Sequence, residues 1–390
     1  MNIKTEITKI HYNKDAKGLL VNILDFASLF YGIGSGLKNF LYDKNILKPK
    51  KVDAFVISVG NLTTGGVGKT PVVAEIAKYL INKGEKVAIV SRGYGGKLSN
   101  KNINVISDGE KVYYDAQMAG DEPFWLAVNS GKWKVESGKF DLEGRKVGRL
   151  EGKLVNEISL SEISQTQQTD NSHTSIPPYL HTSNSGAIVI TSKNRYNASK
   201  YAIEHFGATY IILDDGFQHR KLHRDLDIVL ADSEKMFGRE KLLPAGPLRE
   251  GFEAFKRIDK LVIVSKNTDH TRAEKLAKIM GKKMNVPSFV CKTEPDIVYN
   301  IKTGEILPKD VEVTAICAIG QPEQFYAFLK DYKIQETVTF DDHHKYKETE
   351  IPEGTIITTE KDAVKMKDFS RNDIYALKLK TVIDVEGLIG

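Results

Sequence analysis

Four short runs, "KVAIVSRGYGG", "ATYIILDDG", "LDIVLADS" and "DKLVIVSK", are rich in β-branched residues, and each ends near a Gly, Ser or Asp. Unbroken apolar runs of this length suit strands covered on both faces, so they predict a mostly parallel sheet. An earlier run, "VDAFVISVG" (Val52 to Gly60), is followed by "VVAEIAKYLINKG", whose apolar residues recur at helical spacing. Strand and helix in alternation predict an α/β sandwich with its site at the C-terminal ends of the strands. After Lys266 a second series begins, in which "VTAICAIGQPEQFYAFLKDY" and "GTIITTEKDAVKM" each read as a strand followed by a helix. The pattern predicts a core at 52–265 and a smaller α/β unit at 266–390.

Two segments break this alternation. "GLLVNILDFASLFYG" (Gly18 to Gly32) is apolar except for Asn22, Asp25 and Ser28, which fall three apart and form one narrow polar stripe on a helix. At about fifteen residues it is too short for a bilayer core that needs ~20. Asp25 interrupts the apolar run and no small-residue cleavage site follows, which argues against a signal peptide. Lys38, Lys44, Lys48, Lys50 and Lys51 come next, the basic flank an interfacial helix presents to anionic headgroups. Periodicity alone equally permits a core helix, so residues 1–51 are read as an interfacial helix with its flank or as part of the soluble core. The second segment, 131–186, is rich in Lys, Glu, Ser, Thr, Gln and Asn. Its first half, "KWKVESGKFDLEG", alternates enough for a hairpin; from Ser159 its composition predicts disorder.

Composition narrows the class. A chain of 390 residues suggests two or three domains, and its apolar and charged fractions are those of a globular protein. The two cysteines, Cys291 and Cys317, form no C-x-x-C and indicate neither a disulfide framework nor a thiolate metal site. A net charge of +5, without an RNP-like motif or zinc-finger spacing, points to no nucleic acid. It suits an anionic membrane surface or a phosphorylated substrate. No feature indicates an obligate protein partner.

The chemistry concentrates in "NLTTGGVGKTPVV" (Asn61 to Val73), set between a strand-like run and a helical one. That is the context of a Walker A phosphate loop. Backbone N–H groups of Thr63, Thr64, Gly65, Gly66, Val67 and Gly68 can converge on phosphate oxygens. Lys69 can reach the β- and γ-phosphates, and the Thr70 hydroxyl can ligate Mg²⁺ at the helix N-terminus. Thr63 stands where the general pattern has its first glycine. In "YIILDDGFQHRKLHRDLDIVLAD", Asp214 and Asp215 end an apolar strand, where a Walker B carboxylate meets that Mg²⁺. His219 and His223 are four apart but lack the glutamate of H-E-x-x-H, and are assigned to hydrogen bonding.

"AGDEPFWLA", with Asp121 and Glu122, and "TFDDHHKY", with Asp341, Asp342, His343 and His344, add two polar clusters. Phosphoryl transfer to a hydroxyl needs a group that accepts its proton, and a carboxylate next to an imidazole can do so near neutral pH. An Asp–His pairing between these distant segments would meet that need; solvated loops would carry the same residues.

"GNLTTGGVGKTP", "SRGYGG", "GDEP", "LDDGFQH", "LLPAGPLRE", "DHH" and "TTEKDAVK" occur in the order found in the tetraacyldisaccharide 4'-kinase (lipid A 4'-kinase, LpxK) family, which the chain resembles over nearly its whole length apart from 131–186. Members share the loop variant with Thr63. The resemblance implies a P-loop NTPase-type sheet, a smaller C-terminal α/β domain and an N-terminal membrane-associated helix. It implies transfer of the ATP γ-phosphate, with Mg²⁺, to the 4'-hydroxyl of a lipid disaccharide 1-phosphate in lipid A biosynthesis. The expected location is the cytoplasmic face of the bacterial inner membrane, peripheral or monotopic. By position, Asp121 matches the catalytic aspartate and His343 its paired histidine. Lys69 and Thr70 match the nucleotide-binding residues, Asp214 and Asp215 the Walker B pair. Glu122 is expected near the metal, and Arg92 and Arg249 as phosphate or substrate ligands. In the family a much shorter connection joins "GDEP" to "DDGFQH", so 131–186 is expected to be a tolerated surface excursion.

Two other readings use the same loop. A P-loop enzyme acting on a soluble metabolite would keep the N-terminal helix in its core. A GTPase-like switch would need a guanine-reading N-K-x-D, which "TTEKDAVK" only approaches, since Lys361 and Asp362 are adjacent.

Overall fold

The computed structural model describes residues 3–93, 95–131, 138–140, 146–148, 186–319, 322–341, 344–363, 365, 366 and 368–390. Two helices come first, α1 (Ile3–Tyr12) and α2 (Leu19–Asp43). The first α/β series opens with β1 (Phe55–Asn61), α3 (Lys69–Asn82), β2 (Val87–Ser91), β3 (Asn104–Asp108), α4 (Ala116–Ala119) and α5 (Asp121–Asn129). Within 131–186, β4 (Gly138–Phe140) and β5 (Lys146–Gly148) pair antiparallel, in the stretch whose alternation permits a hairpin. The disorder expected from Ser159 on falls outside the described residues. Next come β6 (Ile188–Thr191), α6 (Arg195–Phe206), β7 (Tyr210–Asp214), β8 (Leu226–Asp232), β9 (Lys260–Ser265), α7 (Thr271–Met284) and β10 (Ser288–Asn300). The second series is β11 (Glu312–Cys317), α8 (Pro322–Phe328), β12 (Lys333–Thr339), β13 (Ile356–Thr359), α9 (Glu360–Ala363), β14 (Ile374–Val382) and α10 (Val385–Ile389).

Twelve strands form one sheet in the order β12-β11-β13-β14-β10-β9-β8-β1-β7-β2-β6-β3. Neighbours run parallel except β10 with β14 and β3 with β6. All four apolar runs that open the sequence argument lie in this sheet as β2, β7, β8 and β9, buried from both sides. Helix α3 covers one face through Val72, Val73, Ile76, Ala77 and Leu80, and α6 covers the other through Ala198 and Ala202. The long strand β10 pairs with β9 over Ser288–Lys292 and with β14 from Lys292 onward, so one strand joins the two series. The flanks of 131–186 are close together: Ala187 N–H donates to the Ser130 carbonyl at 3.0 Å. A long excursion from such a closed neck costs only ~0.6 kcal/mol per doubling of its length.

The N-terminal helix differs from its sequence reading in length. Helix α2 runs for 25 residues, long and apolar enough to cross a membrane, rather than stopping near Gly32. Gly32, Gly34 and Gly36 lie inside it, the helix being carried through them by contacts along one side. Asp25 pairs with Lys241 and lies 3.6 Å from Arg239, Tyr31 donates to the Arg249 carbonyl at 2.9 Å, and Lys38 donates to the Gln218 carbonyl at 2.9 Å. Farther on, Asn39 donates to Glu250 and Asp43 pairs with Arg220. Asp25, Tyr31, Lys38, Asn39 and Asp43 thus engage the protein, whereas Asn22 of the polar stripe is exposed. The apolar side faces outward, with Leu19 78%, Phe26 64%, Phe30 63% and Ile33 67% exposed. Leu24, expected on that outward side, is instead buried with Ile10, Val21 and Ala245. Lys38, expected in the basic flank, is an exposed helix residue whose ammonium turns onto the protein at the Gln218 carbonyl, where desolvation holds it below its usual range.

Candidate active site

The phosphate loop hangs between the end of β1 and the start of α3. Gly68 caps α3 at φ +97°, a left-handed backbone that favours glycine. Pro71 sits in the first turn, where its missing N–H costs no helical bond. Thr63 has no positive φ; it is buried and forms an antiparallel bridge with Leu248. An extended residue needs no glycine, which accounts for the departure from the general loop pattern. Thr64 N–H donates to the Pro247 carbonyl at 2.8 Å, and Arg249 N–H to that of Leu62 at 2.8 Å. The "LLPAGPLRE" segment therefore lies along the loop like a short extra strand and delivers Arg249 into the site. Gly60 at the end of β1 permits the other close approach, because a Cβ there would stand 2.5 Å from that of Phe217.

Lys69 and the two aspartates meet at this point. Lys69 Nζ donates to Asn61 Oδ1 at 3.1 Å and lies 3.4 Å from Asp215. Arg249 Nη1 donates to both carboxylate oxygens of Asp215, at 2.9 and 2.8 Å. Burial pushes the Asp215 carboxyl up, but Lys69 and Arg249 together outweigh it and hold the group below its usual range. Asp214 behaves oppositely: burial first, then Glu122, raises it to about 6, against the pull of Lys69 and Arg195. Its Oδ1 is buried and has no hydrogen-bond partner. An orphaned carboxylate oxygen beside a phosphate loop is what a cation ligand requires, so the residues fit Mg²⁺. Among the described residues no group of three or more His, Cys, Asp or Glu could hold a metal alone. Mg²⁺ held through one or two carboxylates and phosphate oxygens needs no such group. Thr70 is the second residue of α3, at the loop's exit.

Asp121 and Glu122 form the exposed first turn of α5, whose Pro123, Leu126, Ala127 and Val128 are buried. Glu122 acts electrostatically on Asp214, so the "GDEP" turn and the Walker B strand end belong to one site. Arg92 follows β2, the strand next to β7, and is exposed. His343 and Asp342 lie outside the described residues. Beside them Asp341 is exposed, and His344 Nε2 donates to the Glu350 carboxylate at 3.0 Å while its ring stacks on Phe340. His223 Nε2 lies 3.4 Å from Asp225 Oδ1. His219 is pulled down to about 3 by burial and then by Arg195, Lys38, Lys221 and Arg224.

In "TTEKDAVK", Asp362 is buried and accepts from Ala318 N–H at 2.8 Å, Thr359 at 3.0 Å and Lys365 at 2.8 Å. It clamps the ends of β11 and β13 and is unavailable for reading a base. Sequence reasoning missed Arg195, a buried residue on α6 whose guanidinium donates to the Asp215 carbonyl at 2.8 Å. It also missed Tyr12 of α1, whose hydroxyl donates to the Thr64 carbonyl at 3.1 Å. Neither stands in a motif. A buried arginine in a helix's first turn leaves no mark in the hydrophobic pattern.

A family model described as tetraacyldisaccharide-1-P 4'-kinase (LpxK) matches residues 20–139 and 162–389. What it leaves unmatched inside the chain, 140–161, is shorter than the whole of 131–186 expected to be extra. A tetraacyldisaccharide 4'-kinase of Halothermothrix orenii is 32% identical over 389 residues, covering 91% of this chain and 85% of its own. Its counterpart in Aquifex aeolicus is 32% identical over 371 residues, covering 94% and 95%. A crystal structure of LpxK from Aquifex aeolicus, an "apo" form in complex with ATP, superposes with a TM-score of 0.64 at 30% identity, covering 95% of this chain and 96% of that one.

Proposed function

The chain belongs to the tetraacyldisaccharide-1-phosphate 4'-kinase family, and from that premise we propose how its residues divide the work of phosphoryl transfer. The enzyme transfers the γ-phosphate of ATP to the 4'-hydroxyl of tetraacyldisaccharide 1-phosphate in lipid A biosynthesis. Residues 63–70 hold the phosphates, with Lys69 on the β- and γ-oxygens. Thr70 and Asp214 hold Mg²⁺, with Glu122 beside them; the ion supplies charge neutralisation at the phosphate oxygens. Asp215 stays ionised and fixes Arg249, whose remaining N–H groups face the transferring phosphate or the acceptor; Arg92 serves the same end from β2. Asp121 accepts the 4'-hydroxyl proton, and His343 pairs with it. The observation that carries this reading is the buried, unpartnered Asp214 oxygen within electrostatic reach of both Lys69 and Glu122.

Residues 52–265 form the nucleotide-handling core and 266–390 the smaller unit, with β10 joining the two strand series within one sheet. The outward apolar side of α2 sits in the cytoplasmic face of the inner membrane, peripherally or monotopically. A four-chain lipid rarely leaves its bilayer, since each buried methylene contributes ~0.8 kcal/mol, so the enzyme goes to the lipid. Lys44, Lys48, Lys50 and Lys51 add on the order of 1 kcal/mol each near an anionic surface. The deciding experiment incubates the protein with γ-labelled ATP and the lipid disaccharide in mixed micelles, then separates the lipids by chromatography. Label in the lipid is expected; label released only as inorganic phosphate defeats the reading.

A further inference from the structure

We propose that Lys266 forms the platform for the adenine ring of ATP, its methylene stem stacking against the base; this rests on the reading that residues 63–70 hold the phosphates. Strand order sets the direction of the nucleotide. In the sequence β9-β8-β1-β7, Asp214 ends β7 and Asp215 follows it, so the reacting end of the nucleotide faces that side of β1. Ribose and base must then extend the other way, over the ends of β8 and β9. At the usual strand separation β9 lies about 10 Å from β1. Lys266 is the residue directly after β9.

Its geometry suits a platform and not a phosphate ligand. Nζ donates to the Gly66 carbonyl at 2.5 Å and pairs with Asp232 at 3.0 Å. Asp232 is itself fixed, since its other oxygen accepts from the N–H groups of Glu234 and Lys235 at 3.0 and 3.2 Å. The ammonium is thus neutralised and immobile, and the stem is drawn taut across the loop with the side chain still 31% exposed. Nothing lies within 4 Å of where a Gly66 Cβ would stand, so the loop's surface beside the stem is open. A lysine with its amine anchored presents an apolar face with little rotamer entropy left to lose.

Two probes separate a base platform from a brace of the phosphate loop: ATP and inorganic tripolyphosphate, which shares the phosphates and lacks the base. In Lys266→Ala the Kd for ATP is expected to rise about tenfold, with that for tripolyphosphate within about twofold of wild type. Lys266→Met, which keeps an apolar stem, is expected to recover most of the ATP affinity; should the alanine variant fail to fold, Lys266→Ser takes its place with the same tenfold loss expected. Equal losses for both probes, or no loss for ATP in the stemless variant, overturns the proposal. Lys69→Ala measured alongside tests the phosphate-loop reading separately, because it should weaken both probes.

Discussion

Asp214 and Asp215 are adjacent in the chain and opposite in state: one is buried with an unpartnered oxygen and a raised carboxyl group, the other is clasped by Arg249 and Lys69 and held ionised. Their replacements should separate. Asp214→Asn removes a buried charge that Lys69 and Arg195 only partly offset, so without metal or nucleotide the melting temperature should hold or rise, while Mg²⁺-dependent turnover falls at least a hundredfold. Asp215→Asn strands two cations and should cost about 1–3 kcal/mol of stability. Thermal unfolding of the two variants side by side checks this; a lower melting temperature for Asp214→Asn than for Asp215→Asn refutes it.

Lys69→Ala and Asp121→Ala should both abolish transfer, by different routes. Loss of Lys69 weakens nucleotide binding, whereas Asp121, an exposed residue at the start of α5, should leave ATP affinity nearly intact. If Asp121 and His343 act as a unit, the double variant loses no more than the worse single one. Multiplied losses would break the pairing.

Helix α2 offers a clean contrast between surface and core. Changing the exposed Phe26, Phe30 and Ile33 to Ser should lower sedimentation with anionic vesicles and leave stability within about 0.5 kcal/mol per site. Leu24→Asp should instead destabilise the fold by roughly 2–5 kcal/mol, because Leu24 is buried against Ile10 and Ala245. Undiminished vesicle binding by the triple variant would remove the outward side of α2 from membrane docking.

His219 gives the protein an acid sensitivity. Its folded-state pKa of about 3 lies below the ordinary 6.5, so its stabilising contribution is complete above pH 6.5 and is lost as pH falls toward 3. At pH 4.5 the loss is on the order of 2 kcal/mol. His219→Gln should therefore show a smaller drop in melting temperature between pH 7.5 and 4.5 than the wild type, and an identical drop would rule this source out.

Removing residues 132–185 and joining the ends through a short Gly/Ser link should keep activity within about tenfold, ~1.4 kcal/mol in barrier, because the neck is already closed by the Ala187 to Ser130 hydrogen bond. A folded deletion protein with no activity would give the segment a part in the site.

What the sequence determines by itself is whatever chemistry is local. The four β-branched runs become parallel strands because burial on both faces leaves such residues few alternatives. The loop from Thr63 to Thr70 is legible because a glycine-rich turn between strand and helix binds phosphate through its own backbone. The tertiary structure decides everything that depends on partners far along the chain. Arg249 reaches Asp215 only because "GPLRE" pairs with the phosphate loop, and Lys266 reaches Gly66 only because β9 lies two strands from β1. Arg195 enters the same site from a helix that carries no motif. Helix α2 makes the distinction sharpest. Periodicity reveals a polar stripe and an apolar side, but which turns inward depends on what the rest of the protein offers. Here Arg239, Lys241 and the carbonyls of Gln218 and Arg249 engage the polar groups, so the apolar side is left facing out.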